Sequence, residues 1–137
     1  MTRWLLAAAG VVGFVAVALG AFGAHALRSR LPDERLANLE LAVRYLFFHV
    51  PALLAVAWVS TMCGGQPFTA IAAWSFVLGI LLFSGSLLVL AFTGERRWGA
   101  VTPIGGVLLL VGWASLIVAA LLITVGPAGA TARLVSC

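Results

Sequence analysis

Six polar side chains stand out in a strongly apolar chain: His25, Tyr45, His49, Ser84, Ser86 and Thr102. Their types suggest several chemistries. An imidazole at His49 can take up or release a proton, coordinate a metal or ligate a haem, with His25 as a second imidazole. In lipid an ionisable side chain is a site candidate by default, because it turns toward the protein interior or water. The plain alternative is that His49 hydrogen-bonds a carbonyl or serine and holds helices in register. Ser84-Gly85-Ser86 invites a nucleophile reading with a histidine as base. Against it, no carboxylate is placed to orient that histidine and no G-x-S-x-G elbow is present, while serines and glycine also permit close helix packing. Paired carboxylates, phosphate-binding glycine loops and Cys/His clusters of metal-ligand spacing are lacking, so no catalytic or metal-ligating set is assigned.

The elements that must position these residues are membrane spans. The 137 residues give room for one domain, spanning 1–137. A hydrophobic fraction of 64%, a charged fraction of 9% and a mean hydropathy of +1.18 lie outside the soluble range. All eight basic residues are arginines, and they flank apolar stretches in the manner of orientation signals. That placement argues against nucleic acid as a partner and for the lipid bilayer.

Four spans follow. The uncharged run Trp4–Ala24 is 21 residues, enough for about 30 Å of hydrocarbon, and predicts a first helix over about 4–26. Arg3 and the Ala24-His25-Ala26 triplet also resemble a cleavable secretory signal, but the run is long for one. Its small residues Ala16, Gly20 and Ala24 recur every four positions, the spacing of close helix approach. Pro32-Asp33-Glu34 is a helix start. Leu36, Leu39, Val43 and Leu46 then form one apolar stripe, with Glu40 and Arg44 spaced to pair. A short amphipathic surface helix is expected over 32–44. From Tyr45 to Gly94 the chain has 50 residues without Asp, Glu, Lys or Arg, which makes two spans, about 45–63 and 68–92. Gly64-Gly65-Gln66-Pro67 turns between them. Pro51 predicts a bend near Phe47, whose carbonyl loses its backbone donor. Gly94 caps the third helix. A fourth runs over about 101–125, with a short tail at 126–137. Trp4, Trp58, Trp74 and Trp98 fall near helix ends as interfacial anchors, and Trp113 sits at mid-helix.

The fold class is therefore an all-α integral membrane protein, four transmembrane helices in an antiparallel bundle with an amphipathic interfacial helix between the first two. The loops at 27–44 and 94–100 carry six of the eight arginines. The positive-inside rule puts both loops in the cytoplasm and both termini outside. Cys63 and Cys137 then share the outer side, with their pairing open. Antiparallel hairpins also place all six polar residues in the same half of the membrane, with Tyr45 and His49 on one helix face.

Motifs along nearly the whole chain carry a resemblance. GAFGAHAL (20–27), Tyr45-x-x-x-His49, FSGSL (83–87), LAFTG (90–94), TPIGG (102–106) and Gly112-Trp113 resemble the YgdD-like family of small membrane proteins of unknown function. Val50 and Leu88 stand where the family has alanine and tyrosine, and Pro51 is a further departure. The resemblance implies four membrane helices and brings no activity. The expected role is a non-enzymatic accessory, scaffold or assembly protein of a bacterial inner membrane, partnered by other membrane proteins or by copies of itself. The alternatives are a redox or ligand-binding protein holding haem, metal or quinone near His25 and His49, and a small transporter of a neutral substrate.

Overall fold

The computed structural model describes residues 1–62, 66–125 and 135–136. It is an all-α four-helix membrane protein. Helix α1 spans Thr2–Phe22, α2 Asp33–Met62, α3 Pro67–Thr93 and α4 Thr102–Leu121. All four are long and apolar enough to cross a membrane. Cys63, Gly64 and Gly65 of the expected turn lie outside the described residues, as do most of the tail, Cys137 and any pairing of the two cysteines. Thr124–Val125 and Val135–Ser136 form a two-residue antiparallel pairing, with Thr124 opposite Ser136.

Each helix packs on its sequence neighbour, α1 on α2, α2 on α3 and α3 on α4, while α2 and α4 meet only locally. The central pair α2–α3 supplies most of the interior, through Leu46, Leu53, Val56, Ala72, Phe76 and Ile80. Helix α1 buries only Leu5, Ala9 and Ala16, and it turns Phe14, Val17 and Phe22 to the lipid. At the α1 start, Trp4 stacks on Trp74 of α3 at 5.2 Å between centroids, and Thr2 Oγ1 lies 2.8 Å from Ser60 Oγ of α2.

Element ends follow local chemistry. Past Phe22 the chain widens into one π-helical turn, Gly23–Leu27, that contains His25. The segment expected as a separate amphipathic helix is instead the opening of α2, which runs unbroken for 30 residues through Pro51. Nothing between Arg44 and Tyr45 breaks a helix, so the surface segment and the span merge. Glu40 and Arg44 form no ion pair, and the ion pair among the described residues joins Glu95 to Arg97 at 2.6 Å, both exposed. Pro67 and Pro103 sit in the first turns of α3 and α4, where the missing N–H is harmless. Gly94 closes α3 at φ 76°, the left-handed cap expected of it. Helix α4 ends at Leu121 rather than running to 125, where the β-branched run Ile123-Thr124-Val125 favours extended backbone.

The closest helix approach is between α3 and α4, not along the small-residue stripe of α1. A Cβ placed on Gly105 would stand 2.7 Å from Phe83 Cα. Gly79 faces Leu109, and Gly112 faces the ring of Phe76, in the same interlocked manner. On α1, Gly20 meets Val43 at an ordinary 3.5 Å, and Gly10 meets nothing within 4 Å.

Candidate functional site

The polar residues predicted as one site are distributed over four places. His49 is the most enclosed of the ionisable groups among them, 4% exposed on the α2 face toward α3 and α4. Its Nδ1 lies 2.7 Å from the Tyr45 carbonyl, which can only accept, so Nδ1 carries the proton. The free lone pair on Nε2 then accepts from the Trp113 indole Nε1–H of α4 at 3.4 Å. Both ring nitrogens are thereby engaged, in the neutral Nδ1–H tautomer.

Rings enclose this pair. Tyr45 stacks on Phe83 at 4.1 Å between centroids, Phe76 meets Trp113 edge-on at 5.2 Å, and His49 lies 5.7 Å from Phe76. Edge-to-face and offset arrangements of this kind contribute about 0.5–1.5 kcal/mol each beyond burial. A groove of about 680 Å³ opens beside them, lined by Tyr45, Phe48, His49, Pro51 and Trp113. A smaller cavity of about 330 Å³ lies between Tyr45, Phe83, Gly106, Leu110 and Trp113.

The serines are elsewhere. Ser84 Oγ donates to the Ala42 carbonyl of α2 over 3.2 Å, pinning α3 to α2. Ser86 Oγ donates to the Phe83 carbonyl at 3.0 Å and meets Thr102 Oγ1 of α4 at 2.8 Å. These contacts join the elements that the hairpin topology was expected to bring together. Neither serine touches a histidine, so no nucleophile–base pair is formed. His25 is exposed in the π-helical turn and makes no hydrogen bond with the other five residues among the described contacts.

The donor geometry bears on haem and metal ligation at this site. A haem iron or metal ion needs an imidazole lone pair, and the one His49 offers is directed at Trp113. His25 makes no hydrogen bond or ring contact with it among the described residues, and no group of three His, Cys, Asp or Glu among them could hold a metal. Haem or metal ligation by these two histidines therefore does not fit the arrangement.

Two residues matter that their sequence context did not flag. Trp113, marked only as a tryptophan away from the interface, is the partner of His49. Arg35, counted only as an orientation charge, donates from Nε to the Ala91 carbonyl at 2.6 Å and from its terminal nitrogen to the Phe92 carbonyl. It holds the end of α3 against the start of α2, at the negative pole of the α3 dipole.

Comparisons with known proteins agree with this architecture. A family model described as "Protein of unknown function (DUF423)" matches residues 19–106. The UPF0382 membrane protein YwdK of Bacillus subtilis is 41% identical over 106 residues, covering 77% of this chain and 86% of that protein. The UPF0382 inner membrane protein YgdD of Escherichia coli K12 is 39% identical over 123 residues, covering 88% and 91%. A UPF0382 membrane protein of Haemophilus influenzae is 45% identical over 104 residues, covering 76% and 82%. No solved structure matches. The match extends through both histidines, the serine pair and the start of α4, and the chain belongs to the DUF423 family of membrane proteins.

Proposed function

We propose that this protein is a non-enzymatic accessory or scaffold protein of a bacterial inner membrane, partnered by other membrane proteins or by copies of itself. One observation carries the reading. Four of the six polar residues singled out by the sequence are engaged with another helix: His49 with Trp113, Ser84 with Ala42, and Ser86 with Thr102. Groups committed in this way maintain a shape and have no free reach toward a substrate. The inner-membrane assignment draws on the Escherichia coli relative, an inner membrane protein by name. The arginines favour a topology with loops 27–44 and 94–100 in the cytoplasm and both termini outside.

The test of the role is purification without added ligand, followed by optical spectroscopy and metal analysis. A featureless visible spectrum supports the reading, and a Soret band or a stoichiometric metal overturns it. Topology is tested with Ser29→Cys in a chain whose Cys63 and Cys137 are replaced by serine. Labelling by an impermeant maleimide only after permeabilisation supports the cytoplasmic loop, and labelling of intact cells reverses it.

A second reading is favoured by the aromatic-lined groove at Tyr45, His49 and Trp113. A flat hydrophobic ring such as a quinone would fit against those side chains without needing a lone pair from His49. Saturable quenching of tryptophan fluorescence by a short-chain quinone, abolished in Trp113→Leu, distinguishes it.

A further inference from the structure

A cavity of about 280 Å³ lies where the end of α1 meets the opening of α2. Its apolar wall is Leu19, Leu39 and Val43, its floor is Gly20 and Gly23, and its rim carries Arg28, Glu40 and Arg44. The floor residues keep the space open. At Gly23 even one added carbon would press to 3.2 Å from the Leu39 side chain. The rim carries two unused guanidinium donors. Arg35 caps α3 and Arg97 pairs with Glu95, but among the described residues neither Arg28 nor Arg44 has a hydrogen-bond or ion-pair partner. Arg44 is not joined to Glu40 although the two stand at i and i+4 on one helix.

The position sets the medium. Residues 19–23 close the first span, so the cavity straddles the boundary where hydrocarbon gives way to headgroups. A ligand there must be amphipathic: an anion for two guanidinium groups and a chain for the leucines and valine. Two arginines and one glutamate leave a net single positive charge, which one monoanionic phosphodiester neutralises. Guanidinium is the side chain best matched to phosphate oxygens, and basic pockets between spans are sites for anionic headgroups.

The geometry points to a binding site for an anionic glycerophospholipid, its phosphodiester held by Arg28 and Arg44, its acyl chain against Leu19, Leu39 and Val43, and its headgroup hydroxyls within reach of Glu40. This site is independent of the scaffold role and of the aromatic groove, although Arg44 borders both spaces.

The test uses the full chain in a mild detergent, with native mass spectrometry and thermal midpoint as readouts. The probes are dioleoyl-phosphatidylglycerol, dioleoyl-phosphatidylcholine and water-soluble glycerol phosphate. The expected result is retention of phosphatidylglycerol with a raised midpoint, weaker retention of phosphatidylcholine, and no shift from glycerol phosphate. In R28Q/R44Q retention of phosphatidylglycerol falls by roughly fivefold for each arginine removed, the weight of one basic residue beside an anionic leaflet. R96Q/R97Q removes the same charge away from the cavity and keeps retention at the wild-type level. Both variants change exposed side chains, and an unchanged lipid-free midpoint verifies folding. Equal retention of the two lipids, equal loss in both double variants, or a shift from glycerol phosphate matching that from the lipid overturns the proposal.

Discussion

Trp113 donates its indole N–H to His49 across the α2–α4 boundary, over 3.4 Å, where those two helices otherwise barely meet. The contact suits the Nδ1–H tautomer that the Tyr45 carbonyl sets, and it is a direct polar link between α2 and α4. Replacing Trp113 by Phe leaves Nε2 without a donor, and replacing His49 by Leu leaves the indole without an acceptor. A double-mutant cycle, followed by unfolding in mixed micelles, is expected to give a coupling of about 0.6 kcal/mol, the usual size for interhelical hydrogen bonds in membranes. Additive single effects would show that the rings merely pack.

Gly105 is the position least able to accept a side chain. Gly105→Ala forces α4 away from the Phe83 backbone and is expected to cost about 1–3 kcal/mol, the range for overpacked contacts. Gly10→Ala, which meets open space, is expected to be neutral or to stabilise by up to about 1 kcal/mol through lower chain entropy. Unfolding midpoints of the two variants, compared directly, check the contrast.

Arg35 joins α2 to the end of α3 through two carbonyls. Arg35→Ala is expected to cost about 1.5–3 kcal/mol, from the loss of hydrogen bonds made by a charged donor. Arg35→Lys recovers only part, because an ammonium lacks the planar fork. Amide hydrogen exchange should quicken in the last turn of α3, around Ala91 to Gly94, and leave α1 unchanged.

Ser84 is a pin between helices, with no base beside it. Wild-type protein is expected to resist labelling by a fluorophosphonate, and Ser84→Ala to lose only about 0.6 kcal/mol of stability. Stoichiometric labelling abolished by that substitution would establish a nucleophile instead.

The spans were legible in the sequence because hydropathy alone decides them. Charge-free runs located all four helices, and Gly94 marked its own cap. The i, i+4 spacing of Tyr45 and His49 put them on one face, and hairpin logic put Ser86 near Thr102. The partner of His49 was not legible, because the face α4 turns inward is chosen by the fit of Gly105 and Gly112 against Phe83 and Phe76, a property of two surfaces together. The continuity of α2 was hidden for a different reason. An amphipathic pattern passing into an apolar one marks a change of surroundings, and the backbone need not break there. Arg35 was misleading because a charge that signals orientation and one that caps a helix look identical in a chain read without its neighbours.

The intimate α3–α4 contact bears on the order in which the chain is made. Ribosomes deliver α1 and α2 first, yet the tightest glycine-mediated contact among the described residues waits for α4. A nascent chain halted before Thr102 already has three hydrophobic helices in the bilayer, but it bares Phe76, Phe83 and an unanswered imidazole nitrogen to lipid. Insertion of the first three helices is thus chemically distinct from packing, because α4 supplies the surfaces that Phe76, Phe83 and His49 meet.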